Sequence, residues 1–158
     1  MWRASLPAYG RRSSLLDSRP IAELWPLCEA ALAAGGYFRL WPRGRSMLPL
    51  LREGLDSVLL AAPTDIRCGD ILLVRTPEGK FLLHRAVALT EDTVTLAGDA
   101  LTTTEGPMPR ACILARAVRI YRKERELDAR SGRMRRYARR RALRRRLLSP
   151  LRHLFGKK

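Results

Sequence analysis

Apolar residues recur every three or four positions between residues 20 and 34, a spacing typical of an amphipathic helix. The pattern predicts that this helix begins near Pro20, with Asp17 or Ser18 as its N-terminal cap. The glycine pair Gly35-Gly36 predicts its end. Pro26 lies inside the pattern, so we expect a kink or a restart of the helix there.

From Tyr37 onward the period of the hydrophobic pattern changes to two, which predicts strands. Pro77-Glu78-Gly79 has the composition of a hairpin turn between two of them. Short strands joined by tight turns are typical of antiparallel sheets, so the fold class is predicted to be mainly β. The predicted strands cover residues 37–40, 57–62, 71–76, 80–89, 93–97 and 113–121.

The composition changes after residue 121. Residues 122–158 contain 16 Lys and Arg against 3 Asp and Glu, whereas residues 1–121 contain 15 against 12. A helix is predicted over residues 133–149, and Pro150 is expected to break it before a short apolar end. We therefore expect a flexible N-terminus at 1–16, a domain at 17–121 and a basic amphipathic tail at 122–158.

The sequence does not indicate a membrane-spanning or a metal-binding protein. No run of 18 apolar residues is present, so no transmembrane helix is predicted. Glu23 and Glu29 interrupt the most apolar region, which argues against a signal peptide and for a cytoplasmic location. The three cysteines are far apart and lack zinc-site spacing, so neither a metal nor a cofactor is predicted.

Two residues are candidates for catalysis. Ser46 lies in a glycine- and proline-flanked loop between two predicted strands, where backbone N–H groups can surround a hydroxyl. His84 lies within the predicted strand 80–89, and the second histidine, His153, lies in the basic tail. Taken singly, a loop serine and a strand histidine are more often structural than catalytic.

Five sequence blocks in a fixed order strengthen the case for these two residues. They are Gly44-Arg45-Ser46-Met47-Leu48-Pro49, Leu51-Arg52-Glu53-Gly54, Gly69-Asp70-Ile71-Leu72, Leu83-His84-Arg85 and Gly98-Asp99. This arrangement resembles the superfamily of signal peptidase I and the LexA-like self-cleaving repressors. The resemblance covers about residues 37–121.

The resemblance implies an antiparallel signal-peptidase-like β fold with an N-terminal helix, a basic C-terminal helical tail and serine peptidase activity. Ser46 is then the nucleophile and His84 the general base, as in the Ser/His branch that includes the endoplasmic-reticulum enzymes. A serine hydroxyl needs such a base, and an imidazole with a pKa of about 6.5 suits neutral pH. Lys80 lies on the same face of the strand and stays open as an alternative base. Asp99 is expected to orient the imidazolium as the third group of a triad.

The sequence departs from the family in two respects. Many signal peptidases carry a serine, which helps to stabilise the oxyanion, at the position that Gly44 occupies here. The expected oxyanion and substrate loop, with Gly44, Met47 and Pro49, would then rely on backbone N–H groups, as the LexA-like members do. The second departure is that no membrane anchor is predicted. Instead, Arg133–Phe155 is expected to make peripheral contact with an anionic membrane.

Three functions follow as hypotheses. The first is a serine endopeptidase that cleaves a precursor peptide or protein after small residues, the preference that the resemblance implies. The second is a LexA-like regulator that cleaves itself, for which Ala34-Gly35 is the candidate bond. The third is a catalytically weak basic protein that binds a membrane surface or nucleic acid through its arginines, with nucleic acid the less favoured partner.

Overall fold

The computed structural model describes residues 19–123 and 125–155, with side chains up to residue 148. The predicted flexible N-terminus, the caps Asp17 and Ser18, and the side chain of His153 lie outside the described residues. The helices are α1 (Ile21–Ala33) and α2 (Gly132–Phe155), with a short 3-10 helix at Arg110–Cys112. The strands are β1 (Phe38–Leu40), β2 (Ser57–Ala61), β3 (Ile71–Arg75), β4 (Phe81–Leu89), β5 (Thr93–Ala97), β6 (Glu105–Pro109), β7 (Ile113–Arg122) and β8 (Arg125–Asp128).

All strand pairs in the described part of the chain are antiparallel, which confirms the predicted mainly-β class. The strands lie in the order β1-β2-β7-β3-β4-β5-β6, and β8 pairs with the end of β7. The long strand β7 is central because β2 pairs along one of its edges, while β3 and β8 also pair with it.

The sheet buries apolar side chains on both faces. In β3, Ile71 and Leu73 belong to a first core, which also contains the buried side of α1, while Leu72 and Val74 belong to a second core. Successive residues of a strand point to opposite faces, so a continuous apolar run such as Ile71–Val74 fits a strand covered on both sides. The helix α1 runs unbroken through Pro26.

Two strands were not predicted. Strand β6 contains Gly106, Pro107 and Pro109, which oppose strand formation in the middle of a sheet. It lies at the edge of the sheet, where a proline need not donate to a neighbouring strand. Strand β8 reads Arg-Glu-Leu-Asp and has no clear apolar alternation, because it is short and mostly exposed.

One prediction about the basic segment is wrong. Helix α2 continues through Pro150 to Phe155, because a proline removes one backbone hydrogen bond and can bend a helix without ending it. The first part of the predicted tail contributes to the core, since Ala129 and Met134 are buried in the first core. No helix among the described residues is long and apolar enough to cross a membrane.

Candidate active site

Ser46 lies in the loop that connects β1 to β2. Gly44, two residues earlier, has a φ of +83°, a left-handed conformation that favours glycine. Directly after the serine, Met47, Leu50 and Leu51 are buried in the first core. Ser46 itself is half-buried. The buried residues that follow Ser46 therefore anchor the loop, while the serine itself stays partly exposed.

His84 lies in the middle of β4, where it pairs with Leu72 of β3. Its side chain is buried, with 4 % of the residue exposed, and its Nδ1 atom has no hydrogen-bond partner. Most buried polar atoms in folded proteins are hydrogen-bonded, and an exception calls for an explanation. An imidazole kept free for proton transfer is one such explanation.

The turn after β5 joins the serine loop to the histidine strand. The Ala100 N–H donates to the Ser46 carbonyl over 2.8 Å. A Cβ atom added at Gly98 would lie 2.6 Å from the same carbonyl oxygen, so only glycine fits there without a shift. Arg85 of β4, which follows His84, pairs with Ala97 of β5, which precedes Gly98. The backbone of Ser46 is thus held next to the strand that carries the imidazole.

Ser46 and His84 line the same cavity, which has a volume of about 260 Å³. Gly44 and Met47 also line it, whereas Pro49 is exposed outside it. The Ser46 hydroxyl and the imidazole make no direct hydrogen bond, and catalytic contacts commonly tighten only when substrate binds. The apolar part of the wall includes Ile21, Leu40, Leu51, Leu73, Phe81 and Leu83.

Lys80, the alternative base, is exposed in the hairpin between β3 and β4. Its carbonyl accepts a 2.8 Å hydrogen bond from the Thr76 N–H, which closes the hairpin. Lys80 does not line the cavity that contains Ser46. Of the two bases that the sequence leaves open, His84 is the one that lines the cavity containing Ser46.

The carboxylate of Asp99 is bound by Arg85 and makes no hydrogen bond to His84. Both Arg85–Asp99 hydrogen bonds, Nε to Oδ1 and Nη2 to Oδ2, measure 2.8 Å, and both side chains are buried. The expectation that Asp99 orients the imidazole by contact therefore needs revision. A guanidinium satisfies both carboxylate oxygens at once, which an imidazole cannot do.

The pKa of His84 is lowered from its ordinary value of 6.5, chiefly because burial disfavours the charged imidazolium. The carboxylates of Glu105 and Asp99 raise the pKa, and Arg145 lowers it. Burial dominates, so the imidazole is neutral at neutral pH. A neutral imidazole is the form that accepts a proton from a serine hydroxyl.

Two arginines of α2 donate hydrogen bonds to backbone carbonyls of the serine loop and of the turn after β5. Neither was singled out from the sequence. Arg141 donates through Nε to the Asp99 carbonyl over 2.8 Å and through Nη2 to the Leu48 carbonyl over 3.4 Å. Arg145 approaches the Gly98 carbonyl over 3.5 Å. These contacts connect residues 42 to 93 positions apart, so no local pattern predicts them. Arg141 joins the serine loop to the turn after β5.

Comparisons of the chain with protein-family models, with curated proteins and with solved structures return no match.

Proposed function

We propose that the protein is a serine endopeptidase in which Ser46 is the nucleophile and His84 is the general base. The observation that carries the proposal is the cavity that both residues line, with His84 buried and its Nδ1 unpartnered. The resemblance to the signal peptidase I and LexA-like superfamily supports it, because the same two positions are the ones that resemblance selects. The finer assignment to the Ser/His branch rests on the same residues.

The proposed reaction begins when the Ser46 Oγ attacks the carbonyl carbon of a peptide bond and its proton passes to His84. The imidazolium then donates that proton to the leaving amine, and an acyl-serine remains. Water hydrolyses the ester by the same route in reverse, with His84 as base, and releases the new carboxyl group. A positioned base of this kind typically contributes roughly 10²–10⁴-fold to the rate.

The Ser46 N–H is a suitable donor for the oxyanion. It donates to no backbone acceptor among the described residues, so it is free to bind the developing charge. Gly44 supplies no hydroxyl for this purpose, and an oxyanion site short of one donor loses roughly 10²–10³-fold in rate. We therefore expect a slow peptidase.

The walls of the cavity favour a peptide with small or aliphatic side chains near the scissile bond. Apolar residues from α1, β1 and β4 line the cavity together with the serine. Arg43 and Arg19 line its border, with Arg19 paired to Glu23 over 3.5 Å, while none of the described residues that line it is a carboxylate. Substrates with an acidic residue beyond the small residues would complement this border.

Cleavage of a separate substrate is favoured over self-cleavage at Ala34-Gly35. That bond lies in the turn that ends α1, where the Gly35 N–H donates to Leu32 and the Gly36 N–H donates to Ala31. Peptidases bind their substrates in extended form, so this turn would have to unfold first. Incubation at pH 9 should therefore leave the full-length chain intact, as judged by intact mass.

A second property, peripheral contact with an anionic membrane, is proposed for α2. Leu143 and Leu147, four positions apart on one side of the helix, are 58 % and 64 % exposed. Exposed arginines surround them, including Arg140, Arg144 and Arg146. An apolar strip flanked by arginines is typical of a helix that lies in the interface of an anionic bilayer. We favour this partner over nucleic acid because phosphate binding alone does not require exposed leucines.

The test of the peptidase proposal is covalent labelling with a fluorophosphonate probe, followed by peptide mass spectrometry. We expect one label on the wild-type chain, located at Ser46. The Ser46→Ala variant should not react, and His84→Gln should react at least about 10²-fold more slowly. Ser131→Ala, a serine outside the cavity, serves as the matched control and should react like the wild type.

An absence of wild-type labelling would overturn the proposal, as would equal labelling of Ser46→Ala. Circular dichroism and thermal melting of each variant show whether it is folded. Loss of reactivity in a folded His84→Gln variant then reports the chemistry rather than the structure.

A further inference from the structure

A second and larger cavity, of about 350 Å³, lies between α2 and the sheet. Its wall is formed by residues 67–70 and 85–87 on one side and by residues from 129 to 145 on the other. Seven of the 16 lining residues are arginine, and Asp70 is the one carboxylate among them. The cavity is therefore strongly positive, and the peptidase proposal makes no use of it.

Three of these arginines are neutralised by carboxylates. Arg85 pairs with Asp99, Arg130 with Asp70 and Asp65, and Arg67 with Asp65. These pairs hold the wall together, because Arg130 connects the start of α2 to residues 60 or more positions earlier.

The other four arginines all belong to α2 and have no carboxylate partner among the described residues. Arg141 and Arg145 donate to backbone carbonyls, and the Nε of Arg145 is buried without a hydrogen-bond partner. The side chains of Arg135 and Arg139 are exposed and make no hydrogen bond within the described part of the chain. Four guanidinium groups around one cavity repel one another, and a bound anion would offset that repulsion.

The lining of the cavity is also partly apolar. Ala86 and Val87 of β4 line it together with Met134, Ala138 and Ala142 of α2. A bare ion would leave this apolar surface unused, since the volume falls within the range of small-molecule sites. A cavity lined by both arginines and apolar residues fits a ligand with an anionic head and a short organic part.

We propose that this cavity binds an organic phosphate, with Arg135 and Arg139 as the entry contacts and Arg145 as the inner one. Phosphate is favoured over a carboxylate because its doubly charged group offers several acceptor oxygens to forked guanidinium donors. The head group of an anionic lipid and a soluble phosphate ester share this chemistry.

The experiment is isothermal titration calorimetry on the full chain at constant ionic strength, with two probes. Phenyl phosphate represents the soluble phosphate ester, and dihexanoyl phosphatidic acid below its micelle concentration represents the lipid head group. We expect saturable one-to-one binding of at least one probe. The Arg135→Ala/Arg139→Ala variant should bind at least about tenfold more weakly, since each lost arginine removes charge-assisted hydrogen bonds.

The matched control is Arg136→Ala/Arg140→Ala, which removes two exposed arginines of the same helix that do not line the cavity. It should bind like the wild type. Tighter binding of the phosphatidic acid identifies a lipid head group, and equal or tighter binding of phenyl phosphate identifies a soluble phosphate ester; both support the site. Absence of binding, or equal weakening in the two variants, would overturn it, because the attraction would then be general to the basic helix.

Discussion

Arg85 holds both carboxylate oxygens of Asp99 through two hydrogen bonds of 2.8 Å, and the two side chains are 3 % and 0 % exposed. This pair fixes the turn whose neighbouring residues, Gly98 and Ala100, contact the Ser46 backbone. Asp99 therefore acts on the candidate site as a positioning residue. Its charge still raises the pKa of His84, although its oxygens are bound elsewhere.

Removal of the Asp99 carboxylate should destabilise the protein strongly. Asp99→Ala leaves the Arg85 guanidinium buried and unpaired, which typically costs about 3–5 kcal/mol. The free energy of unfolding, measured by urea denaturation, reports the loss. Glu126→Ala breaks an exposed pair with Arg119 and should cost less than about 1 kcal/mol. Similar losses in the two variants would contradict the structural role of the buried pair.

Gly98→Ala should reduce peptidase activity more than it reduces stability. Its Cβ atom would lie 2.6 Å from the Ser46 carbonyl oxygen, so the serine loop must shift away from the histidine strand. A displacement of about 1 Å in a catalytic group can cost roughly 10²-fold in rate. The rate of fluorophosphonate labelling at Ser46 measures the effect in the folded variant.

The control for this substitution is Gly132→Ala, where an added Cβ meets only the end of the Arg135 side chain at 3.9 Å. It should label at the wild-type rate. Wild-type labelling in Gly98→Ala would mean that the contact between Gly98 and Ser46 does not position the nucleophile.

The pH dependence of kcat/KM should show an acid limb below pH 6.5. His84 must be neutral to accept the proton, and burial lowers its pKa below that value, so activity is lost only as the pH falls through the lowered pKa. Glu105 raises this pKa by its negative charge, and Glu105→Gln should therefore move the acid limb to still lower pH. Peptide hydrolysis or probe labelling across pH 4–8 measures both profiles.

Glu91→Gln removes an exposed carboxylate for which no influence on His84 is found, and its profile should match the wild type. An acid limb above pH 7, or the same shift in both variants, would argue against His84 as the base.

Binding to anionic vesicles should depend on the exposed leucines of α2. Leu143→Ser/Leu147→Ser keeps every arginine and removes the apolar strip, so flotation with phosphatidylserine vesicles should fall several-fold. Leu27→Ser/Leu55→Ser removes two exposed leucines elsewhere, 54 % and 62 % exposed, and should float like the wild type. If the α2 variant still floats with the vesicles, charge alone would account for the interaction. Point substitutions are preferred to deletion of the helix, because Met134 is part of the first core.

Predictions from the sequence succeeded where the pattern is local. Hydrophobic period and turn residues predict the helix α1, the turn at Pro77-Glu78-Gly79 and six of the eight strands that the structure describes. The strand β6 was missed because its prolines are tolerated only at a sheet edge, and position in a sheet is not a local property. The end of α2 was missed because the local signal, Pro150, does not end the helix.

The candidate site was also predictable from the sequence only in part. The order of the sequence blocks, through the family resemblance that it carries, singles out Ser46 and His84 as candidates, since a loop serine and a strand histidine taken singly are not distinctive. The partner of Asp99 was not recognisable, because a carboxylate near a histidine and an arginine pairs with whichever the fold brings into bidentate reach. In this fold Arg85 is the residue that binds both carboxylate oxygens of Asp99.

The sequence by itself determined the class of the fold, the positive charge of residues 122–158 and the serine and histidine proposed to carry acyl transfer. Tertiary structure alone decided that the basic segment begins as part of the core, that Arg141 braces the serine loop, and that seven arginines surround one cavity. The reason is physical: backbone pattern acts over a few residues, whereas an ion pair or a cavity is set by side chains that meet only after distant segments pack.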